Sequence, residues 1–247
     1  PGVQSSMHML FSGNPGTAKT TVARLLSQVL KEEEVLKYGH IVECGRQDLV
    51  GKYVGWTAQI VESKFQAARG GILFIDEAYS LVEDNRTYGA EAINTIVQEM
   101  ENYRDEVIVI FAGYPEKMKE FLEQNEGLAS RIAFHLNFPD YSPEELTQIL
   151  DLMLKKSEYR MDERTREKCF SICADACREE NYGNGRFVRN LLDHAIMRQA
   201  DRLIREHQNG TLGKEEACLL TADDFEMIGL KKKPQSRQIG FCAGRTA

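Results

Sequence analysis

Eight residues, Gly13-Asn14-Pro15-Gly16-Thr17-Ala18-Lys19-Thr20, have the types and spacing that chemistry on a phosphate requires. A loop low in Cβ atoms can wrap its backbone N–H groups around an anion, and a helix opening behind it adds the positive end of its macrodipole. Lys19 would reach the outer phosphates and the Thr20 hydroxyl would take one place on Mg²⁺, so Gly13 through Thr21 are the candidate ATP-binding run. The pattern G-x-x-x-x-G-K-S/T is broken at one position. Ala18 stands where glycine would more easily adopt the backbone angles of the turn. Binding of Mg·ATP is expected to survive the change. A second constellation is Asp76-Glu77, at the end of the apolar run Ile72-Leu73-Phe74-Ile75. Carboxylates at the C-terminal end of a buried parallel strand sit where open α/β sheets bind ligands. Asp76 would hold the metal through water, and Glu77 would polarise the water that attacks the γ-phosphate.

The elements that must position these groups follow from local pattern. Met7 to Phe11 reads as a short buried strand leading into the loop. After the loop, Val22, Leu25, Leu26, Val29 and Leu30 recur at helical spacing and predict one apolar face. His40 to Cys44 reads as a second strand, and Asp48 to Thr57 as a glycine-bracketed loop, with Thr57 as the expected cap of a helix through Ala68. Ile93, Ile96, Val97 and Met100 mark another helix, Val107 to Ala112 a fourth buried strand, and Ala133 to Phe138 a fifth. This alternation predicts an α/β fold with a five-stranded parallel sheet flanked by helices, over residues 1–140. At Ser142-Pro143-Glu144-Glu145 a serine cap, a proline at the first position and a glutamate at the third open a helix. From there a small all-helical lid domain is expected over 141–230, followed by a basic, flexible tail over 231–247.

Composition narrows the function classes. The chain has 247 residues, 42% of them hydrophobic and 28% charged, with a net charge of −7. An acidic balance argues against a general nucleic-acid or anionic-membrane surface. No apolar run approaches the ~20 residues of a membrane span. Six cysteines without C-x-x-C spacing suit a reducing compartment, and a cytoplasmic location is expected. Cys169, Cys173 and Cys177 share a stripe with Ile172 and Ala176, which reads as helix core rather than as a metal site. The chain opens at Pro1 rather than at methionine and is read as a piece of a longer protein.

Seven ordered blocks give the pattern a family resemblance: GNPGTAKTTVARL, DLVGKYVGWTAQ, GGILFIDEAYSL, INTIVQEMENYRDEVIVIFAGY, NEGLASRI, FPDYSPEEL and GNGRFVRN. Together they resemble AAA+ P-loop ATPases, nearest the branch of stage V sporulation protein K and the red-type rubisco activase CbbX. The resemblance implies ATP hydrolysis with Mg²⁺ in a homo-oligomeric, hexameric ring that remodels a protein client through a central pore. It implies that Arg131 is an arginine finger acting on a neighbour's ATP, and that Arg186 is the sensor 2 arginine, with Arg189 one turn on assisting or bracing. Independently, Arg186 opens a helix whose apolar face is Val188, Leu191, Leu192, Ala195 and Ile196, and a cation in a first turn opposes the macrodipole. An anionic partner would offset that. Tyr53 and Val54 match the aromatic-aliphatic pair of a pore loop, whereas Trp56 fits loop packing or pore contact equally. The sensor 1 position, at or near Tyr114, stays open, and the family's adenine-contacting segment before the first strand has no counterpart here. Two other classes remain: an assembly switch with slow hydrolysis, and a nucleic-acid motor, which the acidic charge and aromatic pore residue disfavour.

Overall fold

A computed structural model describes residues 7–51, 53, 55–82, 87–206 and 213–227, so the tail expected from residue 231 lies outside the described residues. The first lobe is a parallel sheet built from β1 (His8–Gly13), β2 (Ile41–Cys44), β3 (Gly71–Ile75), β4 (Val107–Gly113) and β5 (Ile132–Phe138). Its spatial order is β2-β3-β4-β1-β5. The loop-bearing strand β1 therefore lies between β4 and β5, in register Leu10 with Phe111 and Leu10 with His135.

Strand alternation sorts the side chains into two apolar layers. Met9, Phe11, Ile72, Phe74, Ile108 and Ile110 face α1 (Lys19–Glu32). Leu10, Leu73, Ile75, Val109 and Phe111 face the opposite layer. That second layer is covered by α2 (Trp56–Ala68), α3 (Thr87–Asn102) and α4 (Pro115–Glu123), with the short α5 (Glu126–Ala129) leading into β5. Every residue of β3 and β4 is buried, which is why both read as unbroken apolar runs. The polar His8 joins this interior. The buried His8 accepts the Val109 N–H at Nδ1 over 3.0 Å, and burial lowers its pKa to about 4.

Two local expectations are corrected. The apolar stripe of α1 is offset from its buried face: Ala23, Ser27 and Leu30 are buried, whereas Leu25 and Val29 are 57% and 51% exposed. Thr57 does not cap its helix. It lies inside the first turn of α2, buried, and its Oγ1 accepts the Gly51 N–H at 3.1 Å, while Gly55 in the left-handed region occupies the cap.

The second lobe begins with α6 (Pro143–Lys156), where Ser142 Oγ accepts the Glu145 N–H and Glu145 returns a carboxylate to the Ser142 N–H. It continues through β6 (Arg160–Met161), α7 (Glu163–Ala176), α8 (Gly185–Glu206), α9 (Lys214–Ala217) and β7 (Leu219–Leu220). Leu146, Leu150, Cys169, Cys173, Val188 and Leu191 form its separate core. Burial raises the thiol pKa of Cys169 to about 12 and of Cys173 to about 11, so both remain protonated packing groups. Helical periodicity does not announce the two-residue parallel ladder between β6 and β7, because each strand is too short to show alternation. Among the described residues no helix is long and apolar enough to cross a membrane.

Candidate nucleotide site

The loop after β1 is shaped by its own backbone donors and acceptors. Thr17 Oγ1 donates to the Asn14 carbonyl at 2.8 Å, and Lys19 Nζ donates to the Gly13 and Asn14 carbonyls at 2.7 and 2.8 Å. Ala18 stands at the N-cap of α1 with φ 65 and ψ 20, the left-handed region that glycine would occupy with less strain. Gly16 is also left-handed, at φ 81, and an added Cβ would lie 2.2 Å from the Gly183 carbonyl of the lid. Loop and lid are thus in direct backbone contact, with the Gly185 N–H donating to the Gly16 carbonyl at 3.1 Å.

Asp76 and Glu77 emerge from the buried β3 as exposed residues. The Asp76 N–H is held by the Cys44 carbonyl at 2.9 Å, while Glu77 adopts φ 49 and ψ 46. Pro15, Lys19, Asp76, Glu77, Tyr114 and Arg186 line one cleft, so the structure brings loop, strand end and lid together. Beyond Glu77 a hollow of about 730 Å³ continues past Glu43, Arg46 and Asp48. Burial lowers the Lys19 pKa, with Asp76 opposing, Arg186 adding to the lowering, and Asp140 and Glu77 opposing. Three of the positive-φ non-glycine residues, Ala18, Glu77 and Asn184, surround this cleft. Backbone strain of this kind gathers where a site over-determines the chain. Thr20 on the first turn of α1 and Asp76 at the end of β3 are hard oxygen donors of the kind Mg²⁺ accepts.

The other sequence-predicted residues, as far as they are described, do not line this cleft. Thr21 is on the exposed side of α1, and Arg189 is exposed one turn beyond Arg186 in α8. Arg131 precedes β5 at the end of the sheet remote from the loop: Ile132 pairs with His8, whereas Phe138 pairs with Gly13. The run from His8 to Gly13, at ~3.3 Å per residue, separates it from the loop of its own chain by about 17 Å. There Arg131 donates from Nη1 to the Gly127 carbonyl at 2.9 Å and pairs with Glu101 at 3.7 Å. Tyr53 is 62% exposed and Trp56 is 53% exposed, with ring centroids 5.0 Å apart in edge-to-face contact. Neither packs in the core. Val54 lies outside the described residues.

Sequence reasoning passed over Asp140 and Asn184, both of which touch the loop. Asn14 Nδ2 donates to both Asp140 oxygens at 3.0 and 2.9 Å, and Asn184 Nδ2 donates to Asp140 Oδ1 at 2.7 Å. The available signal was an asparagine directly before glycine at a helix start, a pair that tolerates left-handed backbone.

Comparison with known proteins agrees with this architecture. Residues 9–140 match the family described as ATPase family associated with various cellular activities (AAA), and residues 142–236 match the AAA lid domain. The chain is 47% identical over 237 residues to the chromosomal Protein CbxX of Cupriavidus necator, covering 94% of this chain and 74% of that protein. It is 46% identical over 207 residues to the chloroplastic ribulose bisphosphate carboxylase/oxygenase activase of Cyanidioschyzon merolae, covering 82% of this chain and 71% of that protein. The crystal structure of the FIGL-1 AAA domain in complex with ADP superposes with a TM-score of 0.63 at 24% identity, over 89% of this chain and 70% of that one, a likeness of fold alone. With a parallel sheet carrying loop and acidic pair, a helical lid against the loop, and these relatives, the chain belongs to the AAA family of ATPases, in the CbxX and rubisco activase branch.

Proposed function

We propose that this ATPase works as a ring, hexameric by analogy with its family, that draws a protein client through a central pore as ATP is hydrolysed. The observation that carries the reading is the exposed Tyr53–Trp56 pair at the start of α2. An apolar pair of this size outside the core offers a broad contact surface at low side-chain entropy cost, suited to holding many sequences weakly. Trp56 stands on the first residue of α2, giving Tyr53 a rigid support. Gly51 anchors the loop, because a Cβ there would meet Trp56 Cβ at 2.8 Å.

In the hydrolytic site Lys19 and the loop N–H groups hold the phosphates, Glu77 orients and deprotonates the attacking water, and Arg186 meets the terminal phosphate from the lid. Thr20 and Asp76 would hold Mg²⁺, which would supply neutralisation of phosphate charge. Arg131 is too far from its own cleft to serve it, which supports a finger acting on the neighbouring subunit's ATP. The first client to test is ribulose bisphosphate carboxylase/oxygenase, the enzyme in the name of the Cyanidioschyzon relative.

The deciding experiment compares Tyr53→Ala with the parent for basal hydrolysis, stimulation by that carboxylase and thermal melting. Basal hydrolysis within a few-fold, unchanged melting and lost stimulation are expected. A variant stimulated as well as the parent would remove the pore assignment. So would a melting loss on the ~3–5 kcal/mol scale of a truncated buried aromatic.

A further inference from the structure

Building on the reading of Arg186 above, we propose that Asn184 is the positioning residue that seats Arg186 over the terminal phosphate, by fastening the lid to the phosphate loop through Asp140 and Asn14.

Asn184 is polar yet only 1% exposed, and it holds φ 51, a conformation asparagine tolerates better than most residues. Its amide nitrogen donates to Asp140 Oδ1 at 2.7 Å and to the Pro15 carbonyl at 3.3 Å. Its amide oxygen accepts the Tyr141 N–H at 2.8 Å and lies 2.8 Å from Tyr182 Oη, whose single proton is shared with the Tyr141 carbonyl at 2.6 Å. The side chain is therefore engaged on both its donor and its acceptor side. These partners fix which way the amide faces: the nitrogen must meet the carboxylate, and the oxygen must meet the Tyr141 N–H. Aspartate would fit the cavity but would bring a second carboxylate against Asp140. Alanine would leave the Tyr141 N–H and the Asp140 carboxylate short of partners.

The same carboxylate receives Asn14 from the loop, so one acid joins both sides of the cleft. The residue after Asn184 adds the backbone bond from Gly185 to the Gly16 carbonyl. Arg186 follows directly, and its path into the cleft is set by these two anchors. The loop end is equally constrained, because Lys19 and Thr17 donate to the carbonyl of the same Asn14 whose side chain holds Asp140. A shift of Asn14 when phosphate draws Lys19 away is thus relayed to Asp140, Asn184 and the start of α8.

The test separates positioning from mere stability, because only ATP carries the phosphate that Arg186 meets. Affinities for ATP and ADP are measured by titration of a fluorescent nucleotide and competition, alongside thermal melting. Arg186→Ala should lower the ATP-to-ADP affinity ratio, and Asn184→Asp should lower it by about tenfold, the scale of one charge-assisted hydrogen bond. The exchanged pair Asn184→Asp with Asp140→Asn restores the donor–acceptor contact between these two side chains but not the bond to the Pro15 carbonyl, and should recover part of the ratio lost in Asn184→Asp alone. Asp140→Ala, at an exposed position, should show the loss even if Asn184→Asp does not fold. A normal ratio in Asn184→Asp and Asp140→Ala while Arg186→Ala loses it overturns the role of Asn184 and leaves that of Arg186 standing. An unchanged ratio in Arg186→Ala overturns both. A folded double variant whose ratio is no higher than that of Asn184→Asp alone overturns the Asp140 link.

Discussion

Ala18 offers a prediction whose sign can be worked from backbone geometry. At φ 65 and ψ 20 it occupies a region where a Cβ crowds the following carbonyl, at ~1–2 kcal/mol for an L-residue other than glycine. Ala18→Gly removes that strain but frees the unfolded chain, which offsets ~0.4–1 kcal/mol. The balance is a gain of about 0.8 kcal/mol, from the midpoints of those two ranges. For a chain of this size that corresponds to a melting rise of roughly 2–3 °C. Gly16→Ala is the opposing control: φ 81 adds the strain, and the Cβ would approach the Gly183 carbonyl to 2.2 Å, forcing the lid off the loop. Urea unfolding should show a higher midpoint at unchanged slope for Ala18→Gly and a lower one for Gly16→Ala. Nucleotide affinity should stay within about threefold for Ala18→Gly if the loop keeps the same left-handed backbone when bound, and should fall for Gly16→Ala. A destabilised Ala18→Gly with unchanged slope, or a neutral Gly16→Ala, would refute the assignment of strain to these two positions.

Two further outcomes test the assembly and the interior. Arg131→Ala and Lys19→Ala should each lose turnover, by roughly 10³ to 10⁵ for a finger, and mixing them should restore activity if the finger works in trans; mixed rings of confirmed composition without rescue would refute that arrangement. Burial holds the folded pKa of His8 near 4, below the 6.5 of an ordinary histidine, so stability is full above pH 6.5 and is lost as pH falls towards 4, where the unfolded state binds the proton first. His8→Asn keeps an acceptor for the Val109 N–H without titrating, so the parent should lose ~3 kcal/mol more than the variant between pH 7 and pH 4; parallel pH profiles would show that His8 is not held neutral.

Several features could be read from the chain because each depends on near neighbours. The glycine spacing of the loop, the apolar run of β3 ending in Asp76-Glu77, and the cap and proline at Ser142-Pro143 are local records of dihedral preference, burial and donor satisfaction. The exposed alternative for Tyr53 was also legible, since no periodic pattern claimed it for the core.

Tertiary structure alone decided the rest. Periodicity states that a helix has an apolar stripe but not which flank meets the sheet, so Leu25 and Val29 read as core and are exposed. Thr57 read as a cap because a hydroxyl before a helix usually serves its own turn, yet its oxygen answers the Gly51 N–H. The link from Asn14 to Asp140 spans 126 positions, and that from Asp140 to Asn184 spans 44. Both exist because β1 is inserted between β4 and β5, which brings the end of β5 beside the loop. The same order sends Arg131 to the far end of the sheet. Strand order is a property of long-range packing that no window of neighbouring residues contains, so the residues joining lid to loop became visible only once the strands had been placed.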